Sequence, residues 1–275
     1  MPGILPGMPT TKERITDSGY RVYKAFINKI WYPFLTRRLD TQDITFLNYG
    51  YEADPPLNLP LDEDDAPNRY SINLYNQVAS QVDLAGKKVL EASCGHGGGA
   101  SYIVRTFKPA EYTGLDYNPD GVAYCSAHHK LPGLSFVHGN AEDLPFPDES
   151  FDAVINVEAS HAYPTLSKFL AEVARVLKPG GDFLYADFRG RAEFPGWEGA
   201  LDEMPLRQVS KRVINAHVVR SLDASAQHKL DLISHRLPKF LRPFSRHFAG
   251  VPGTGIYNVI QSGGAEYRIY RFTKD

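Results

Sequence analysis

Short apolar segments that alternate with amphipathic ones constrain the fold of this chain more than any other feature of its sequence. The apolar segments predict buried strands over 88–92, 111–116, 134–139, 151–158 and 182–188. The segments between them predict helices over 98–107, 119–129 and 166–177. Strands that alternate with helices favour a mostly parallel sheet with helices on both faces. Right-handed crossovers then make the sheet doubly wound, so the sequence predicts an α/β fold of this type.

The rest of the chain predicts further segments around this core. After Arg189 the strand pattern stops and helical spacing takes over. The positions that share this spacing are Leu201, Met204, Val209, Val213 and His217, and a further helix is predicted over 230–241. Glu266–Thr273 predicts a last strand. We therefore expect an N-terminal cap and loop (1–70), a core (71–188), a helical insertion (189–250) and a terminal strand that completes the sheet (251–275).

The segment 91–100, EASCGHGGGA, joins the first predicted strand of the core to the next helix. Gly95 and Gly97 let a ligand approach the backbone closely because no Cβ intervenes, and the amides that start the helix face the same place. Asp116 ends the second strand 21 positions after Gly95, where an acid can accept hydrogen bonds from ribose hydroxyls. This arrangement is Rossmann-like, and it also satisfies the glycine pattern of NAD sites. The loop and Asp116 alone leave NAD and other ribose-containing cofactors open.

The charge of Glu91 distinguishes between these cofactors. A carboxylate at the end of the first strand would repel a pyrophosphate, and it can face the cationic amino-acid end of S-adenosylmethionine. Two further motifs follow along the chain, GNAEDLPFPDESFD over 139–152 and EVARVLKPGGDFLYAD over 172–187. As an ordered set, these motifs resemble the class I S-adenosylmethionine-dependent methyltransferases. The resemblance covers roughly residues 88–187 and implies methyl transfer from that cofactor.

The resemblance also implies roles for individual positions around the cofactor. Those positions are Glu91, Ser93, Gly95 and Gly97 at the methionine part, Asp116 at the ribose, Tyr117 beside the adenine, Asn140 and Ala141 at the adenine edge, and Glu142 nearby. Ser93 stands where the family commonly has glycine, which narrows the loop. Asn140 stands where the family commonly has aspartate, but an amide oxygen can still accept a hydrogen bond from the adenine amino group.

Stretches outside this core are similar to a narrower group, the mycobacterial cell-envelope lipid O-methyltransferases. The stretches are WYPFLTRRL, YEADPPLNLPL, PNRYSINLY, ASCGHGGGASY, VEASHAYP, PLRQVS and YRFTKD. The group includes phthiotriol and phenolphthiotriol dimycocerosates methyltransferases and the fatty-acid O-methyltransferases of glycopeptidolipid synthesis. The resemblance implies transfer of a methyl group to a lipid hydroxyl, on a glycopeptidolipid hydroxy-fatty-acyl chain or a phthiotriol-type lipid. Methylation of a fatty-acid carboxyl group is the alternative within this class.

His161 is the candidate base, because an alcohol must lose a proton when it is methylated. His161 follows the fourth predicted strand and Asp187 ends the fifth, so both lie at the carboxyl ends of strands, where such sheets bind ligands. Histidine titrates near neutrality, and a neighbouring carboxylate can orient the ring and stabilise its charged form. The alternative for His161 is a loop histidine bonded only to backbone. Glu158 is either a second base or a structural cap.

Composition excludes several other classes of protein. The formal net charge of −2 over 275 residues does not favour nucleic-acid binding. Two cysteines, Cys94 and Cys125, are too few for a disulfide scaffold, and the histidines have no metal-ligand spacing, so we expect no metal. No apolar run approaches the ~18 residues that span a bilayer. We therefore expect a cytoplasmic protein.

The segment 205–247 stands out because it carries nine Lys or Arg and two Asp, a local net charge of +7. It is either a solvated helical face or a surface for an anionic headgroup, carrier or membrane. The segment 22–39 has apolar aromatic residues beside Lys24, Lys29, Arg37 and Arg38, so we expect peripheral contact with the inner membrane face. The aromatic segment 22–35 and the insertion 200–247 are expected to wall a lipid channel. An NAD-dependent reductase and a non-catalytic cofactor-binding module remain as alternatives of another class.

Overall fold

A seven-stranded sheet organises residues 45–275, the part of the chain that the computed structural model describes. The strands are β1 (Lys88–Ala92), β2 (Glu111–Asp116), β3 (Leu134–His138), β4 (Phe151–Val157), β5 (Leu177–Gly190), β6 (Arg207–Val213) and β7 (Ala265–Thr273). Their spatial order is β3-β2-β1-β4-β5-β7-β6. Strands β1 to β5 pair in parallel, whereas β7 is antiparallel to both of its neighbours. The strand order reverses between β1 and β4, which confirms the predicted doubly wound sheet.

Helices cover both faces of this sheet. Within residues 45–275 they are α1 (Arg69–Ala79), α2 (Gly98–Phe107), α3 (Pro119–His128), α4 (Leu166–Val176), α5 (Phe194–Asp202), α6 (Asn215–Arg236), α7 (Arg242–Phe248) and α8 (Gly255–Gln261). The helices α1, α2, α6 and α8 contribute to one core, and α4 and α5 contribute to the other. Successive residues Val89 and Leu90 of β1 belong to different cores, as the two-residue period of a strand requires.

The carboxyl ends of β1, β2, β4 and β5 meet at one edge of the sheet, which we call the carboxyl edge. The central strands are almost continuously apolar because helices bury both of their sides; all of β4 except Asp152 is buried. Helix α4 packs beside them through a face that includes Phe169, Leu170 and Val173, spaced as the helical period requires. The sheet thereby holds the ends of its strands at fixed positions.

Within the predicted helical insertion, 189–250, the helical spacing expected at Val209 and Val213 is wrong for the segment Arg207–Val213. These residues form β6, which pairs antiparallel with β7. Most side chains of β6 are exposed, so no buried alternation marks it as a strand. The segment becomes a strand because its backbone pairs with the otherwise open edge of β7. A local sequence pattern does not reveal a pairing partner that is so distant in the sequence.

Two other predicted segments also change their bounds. The helix predicted over 230–241 is the last part of the 22-residue helix α6, which ends at Arg236, two residues before Pro238. Strand β5 begins earlier and ends later than the predicted 182–188, and its pairing with β7 continues to Gly190. The predicted boundaries 1–70, 71–188, 189–250 and 251–275 stay a prediction.

The expected lipid-channel wall over 22–35 lies outside the described residues. Between Thr45 and Asp275, no helix is both long enough and apolar enough to cross a membrane.

Candidate active site

The glycine-rich loop, residues 93–97, joins the end of β1 to the start of α2. Three of its residues have positive φ angles, Ser93 at 65°, Gly95 at 56° and Gly97 at 77°. This left-handed backbone turns the chain sharply at the carboxyl edge and brings the first amides of α2 there. The hydroxyl of Ser93 lies 2.6 Å from Tyr163 Oη, which holds the serine in its unusual conformation. A Cβ at Gly97 would lie 2.8 Å from His129 Cδ2, so this position requires glycine.

Asp116 is tied directly to this loop. Its Oδ2 accepts a hydrogen bond from the amide of Gly95 at 2.8 Å, and its Oδ1 accepts one from the amide of Asn118 at 2.9 Å. Burial raises the pKa of Asp116, although the backbone amides oppose this effect. The neighbouring Tyr117 is 59% exposed, so its ring is available at the surface. The structure thus brings together an acid, an open aromatic ring and the glycine loop, and their role in binding a cofactor stays a prediction.

Glu91 lies beneath the loop and is fully buried. Its two carboxylate oxygens accept hydrogen bonds from Tyr75 Oη and Tyr112 Oη, both at 2.8 Å. Burial raises the pKa of Glu91 to about 7 in spite of these two donors. Sequence reasoning missed both tyrosines, which come from α1 and β2. The structure therefore shows two internal partners for Glu91, and its contact with a cationic ligand stays a prediction.

The turn after β3 places the predicted adenine-edge residues beside Asp116. The amide of Gly139 donates to the carbonyl of Asp116 at 3.0 Å, which joins the ends of β2 and β3. Asn140 Oδ1 accepts from the amide of Glu142 at 3.0 Å, and the Glu142 carboxylate accepts from the amide of Thr165. Ala141 is buried. Asn140 therefore stiffens its own turn, and its oxygen retains one lone pair for a ligand.

The structure brings His161 and Asp187 together. His161 Nδ1 lies 2.8 Å from Asp187 Oδ1, and the backbone amide of His161 donates to Asp187 Oδ2 at 2.8 Å. The His161 ring packs against Phe188 with the centroids 4.6 Å apart, and 24% of the side chain is exposed. Within the described residues, His161 Nε2 has no hydrogen-bond partner. Because Nδ1 is held by the carboxylate, Nε2 is the nitrogen that can take a proton from a ligand.

Arg189 completes this cluster, and sequence reasoning missed it. Its Nη1 lies 3.0 Å from Asp187 Oδ2, and both side chains are almost fully buried. Burial would raise the pKa of Asp187, but the charges of Arg189 and His161 outweigh burial and hold that pKa well below its usual range. Asp187 is therefore ionised throughout the neutral range. The sequence contains a signal for the pairing of Asp187 with Arg189, because residues two apart on a strand lie on the same face of the sheet.

Glu158 has the environment of a structural cap. Its Oε2 accepts from the amide of Tyr49 at 2.8 Å and from Tyr267 Oη at 2.9 Å. Burial raises the pKa of Glu158 to about 8, so the carboxyl group is largely protonated at neutral pH. A protonated carboxyl group is a poor proton acceptor. Of the two alternatives for Glu158, the structure favours the cap over the second base.

The segment 45–51 covers the carboxyl edge. The carbonyl of Thr45 accepts from the amide of Gly98 at 3.2 Å, which fixes the segment to the start of α2. Leu47 approaches the glycine loop, since a Cβ at Gly95 would lie 3.4 Å from its Cδ1. The Tyr49 ring packs against Phe188 at 5.6 Å between centroids. The edge therefore carries a covered loop beside a histidine–aspartate pair, an arrangement that can hold a ligand and remove a proton from it.

Comparison with known proteins identifies relatives of this arrangement. Residues 90–185 match the family described as "Methyltransferase domain". The chain is 56% identical to the phthiotriol/phenolphthiotriol dimycocerosates methyltransferase of Mycobacterium tuberculosis strain H37Rv, over 90% of this chain and 92% of that protein. It is 51% identical to a fatty-acid O-methyltransferase of Mycolicibacterium smegmatis, over 90% of this chain and 89% of the relative. These identities extend well beyond the residues that match the domain family.

A solved structure shows the same fold at much lower identity. The geranyl diphosphate C-methyltransferase of Streptomyces coelicolor, crystallised with S-adenosyl-L-homocysteine, superposes with a TM-score of 0.64 at 15% identity. The match covers 92% of this chain and 98% of that one.

Proposed function

Because this chain belongs to the family of S-adenosylmethionine-dependent methyltransferases that includes the phthiotriol/phenolphthiotriol dimycocerosates methyltransferases, we propose that it methylates a hydroxyl of a cell-envelope lipid. Membership of this family shows that the chain is an enzyme and that its cofactor is S-adenosylmethionine and not NAD. The alternative of an NAD-dependent reductase is therefore wrong. The names of two relatives, one acting on phthiotriol-type lipids and one on fatty acids, support a lipid acceptor. The His161–Asp187 pair is the observation that carries the choice of a hydroxyl.

The residues at the glycine loop fit the cofactor. Asp116 offers carboxylate oxygens to ribose hydroxyls, which are hydrogen-bond donors, and the exposed Tyr117 ring can stack on an adenine. Gly95 and Gly97 leave their backbone uncovered by any side chain of their own. When bound, S-adenosylmethionine supplies an electrophilic methyl group on a positively charged sulfur. Acidic side chains around the loop suit that charge better than they would suit a pyrophosphate.

The histidine–aspartate pair performs the proton step in this proposal. With Nδ1–H donating to Asp187, the lone pair of His161 is on Nε2, where it can accept the proton of the acceptor hydroxyl. Asp187 stabilises the imidazolium that results, and Arg189 keeps Asp187 ionised. A positioned base typically contributes a factor of about 10²–10⁴ to the rate. Methylation of a carboxylate would need no base, because that acceptor is already ionised at neutral pH.

Peripheral membrane contact is part of the same proposal. The short turn Lys239–Leu241 presents Phe240 with 79% of its surface exposed, between Lys239 and Arg242. An exposed aromatic side chain flanked by cations suits the interface of an anionic bilayer, where the ring enters the acyl boundary and the cations meet headgroups. This contact would be with the cytoplasmic face of the membrane.

The chemical nature of the product tests this function. The protein is incubated with methyl-labelled S-adenosylmethionine and envelope lipids from a strain that lacks this gene, and the labelled product is treated with mild alkali. Methylation of a hydroxyl gives an ether whose label survives alkali, whereas methylation of a carboxyl gives an ester that loses it. The proposal expects alkali-stable label that depends on the protein. Label released entirely by alkali would establish the carboxyl alternative instead.

A further inference from the structure

A largely apolar cavity of about 160 Å³ lies between the segment 46–49 and helices α6 and α7. The apolar side chains around it include Phe46, Leu47, Ile233, Leu237 and Phe248. Such a lining suits a hydrocarbon chain, because transferring CH₂ groups from water to an apolar cavity is favourable. The cavity is distinct from the glycine loop, and the reaction described above assigns it no role.

Two polar groups in this cavity have unused hydrogen-bonding capacity among the described residues. Among residues 45–275, Lys229 Nζ has one hydrogen-bond partner, the carbonyl of Ala249 at 3.2 Å, although an ammonium group has three N–H donors. Burial lowers the pKa of Lys229 to about 8, and it still carries a proton at neutral pH. Asn48 Oδ1 is buried without a partner in the same described part of the chain. Unpaired buried groups cost stability, so a ligand that pairs with them gains affinity.

Two residues that line the cavity, Tyr49 and Leu47, also contact the carboxyl edge. Tyr49 lines it and packs on Phe188, which in turn packs on the ring of His161. Leu47 also lines the cavity, and its Cδ1 is 3.4 Å from the position that a Cβ of Gly95 would occupy. One layer of side chains therefore separates the cavity from both the base and the glycine loop. A chain bound in the cavity would begin next to the reacting groups.

We propose that this cavity binds a fatty-acyl chain and that Lys229 donates hydrogen bonds to the carbonyl or carboxylate oxygen of that chain. The inference rests on the proposed function, since the acyl chain is taken to belong to the methyl acceptor. The charge of Lys229 favours an oxygen with strong acceptor character, and a free acid and an esterified acyl group share that chemistry. The orphaned oxygen of Asn48 accepts only, so it suits a hydroxyl on the same chain.

Direct binding of palmitic acid and methyl palmitate to the full-length protein tests the proposal and separates the two sources. Lys229→Met replaces the ammonium by an apolar group of similar length. It should weaken palmitic acid binding roughly tenfold to a hundredfold, the range for a hydrogen bond to a charged group. The methyl ester should lose less, because its carbonyl is uncharged. Lys229→Arg keeps a cation with donors and should retain most of the affinity for palmitic acid.

The controls decide between a local effect and a general one. Lys130→Met removes an exposed cation outside the cavity and should leave palmitic acid affinity unchanged. The affinity for S-adenosylhomocysteine should be the same in all three variants, which shows that they are folded. Unchanged palmitic acid binding in Lys229→Met would overturn the assignment of Lys229. If palmitic acid binds through Lys229 but no lipid hydroxyl is methylated, the site stands and the proposed function fails.

Discussion

Replacing Asp187 by asparagine and replacing His161 by alanine should both disable catalysis, but the asparagine substitution should cost more stability. Asp187 is fully buried and accepts from His161 Nδ1, the His161 amide and Ser160 Oγ, and its charge pairs with Arg189. Asparagine keeps the shape but removes the charge, so Arg189 becomes a buried cation without an anion. Breaking a buried pair in this way costs about 3–5 kcal/mol. That is a large part of the roughly 5–15 kcal/mol that stabilises a typical domain.

The same substitution should also disable the base. Both oxygens of Asp187 accept hydrogen bonds, so the amide NH₂ of asparagine meets a donor whichever way it is oriented. If the NH₂ faces His161 Nδ1, that nitrogen must become the acceptor and the ring proton moves to Nε2. Nε2 can then no longer take a proton, and turnover should fall about 10²–10⁴-fold. His161→Ala should show the same loss of turnover but lose only about 1.5–3 kcal/mol, the range for one hydrogen bond to a charged group.

Urea unfolding and single-turnover methyl transfer measure the two effects separately. The double variant Asp187→Asn with Arg189→Met removes the stranded cation, so it should be more stable than Asp187→Asn alone while remaining inactive. Calorimetric titration with S-adenosylhomocysteine should give similar affinities for all of these variants, since none of the residues is placed at the cofactor. The reasoning is refuted if Asp187→Asn unfolds with the wild-type free energy, or if His161→Ala turns over at close to the wild-type rate.

Two pH-dependent predictions follow from the buried glutamates. Burial raises the pKa of Glu158 from 4.5 to about 8, so the folded protein keeps a proton that the unfolded chain releases, and the free energy of unfolding should fall as pH rises across that window. In Glu158→Gln, the free energy of unfolding from urea titrations should decrease less steeply with pH. An unchanged dependence on pH would contradict the raised pKa of Glu158. The pKa of Glu91 is raised to about 7, so a cationic ligand nearby would favour its ionised form. The affinity for S-adenosylmethionine should therefore rise as the pH increases through 7, whereas the affinity for S-adenosylhomocysteine, whose sulfur is uncharged, should rise less. Equal pH profiles for the two ligands, or an unchanged profile in Glu91→Gln, would disprove the contact.

The sequence alone predicts the centre of this fold well, and the reason is physical. Strands β1 and β2 begin and end where their apolar runs predict, over 88–92 and 111–116, because a central parallel strand is buried on both faces. The meeting of His161 and Asp187 was predictable for the same reason, since the ends of neighbouring parallel strands must lie side by side. The central strands and the proximity of His161 to Asp187 thus follow from local patterns combined with one topological rule.

The features that sequence reasoning missed depend on contacts between distant segments. Strand β6 exists because the edge of β7 offers unpaired backbone groups, and its own exposed residues carry no pattern that reveals this. The partners of Glu91 come from α1 and β2, and a tyrosine hydroxyl has no sequence signature for the acid that it will contact. The cavity around Lys229 forms where a loop crosses two helices. Its existence depends on their packing distance, which no single segment encodes.

The acids near the carboxyl edge differ in charge because their partners differ, and this decides which of them can serve the reaction. Asp187 faces a buried guanidinium and stays ionised, so it can stabilise a cationic imidazole beside it. Glu158 accepts hydrogen bonds from a backbone amide and a phenol and also feels the charge of Lys229, but burial outweighs these effects, raises its pKa to about 8 and leaves it largely protonated at neutral pH. In the proposed function the two carboxyl groups therefore have different roles, Asp187 an electrostatic one and Glu158 a structural one. The proposed role of His161 as the base depends on Arg189 as well as on Asp187, because the guanidinium, together with His161 and Ser160, holds the pKa of Asp187 well below its usual range.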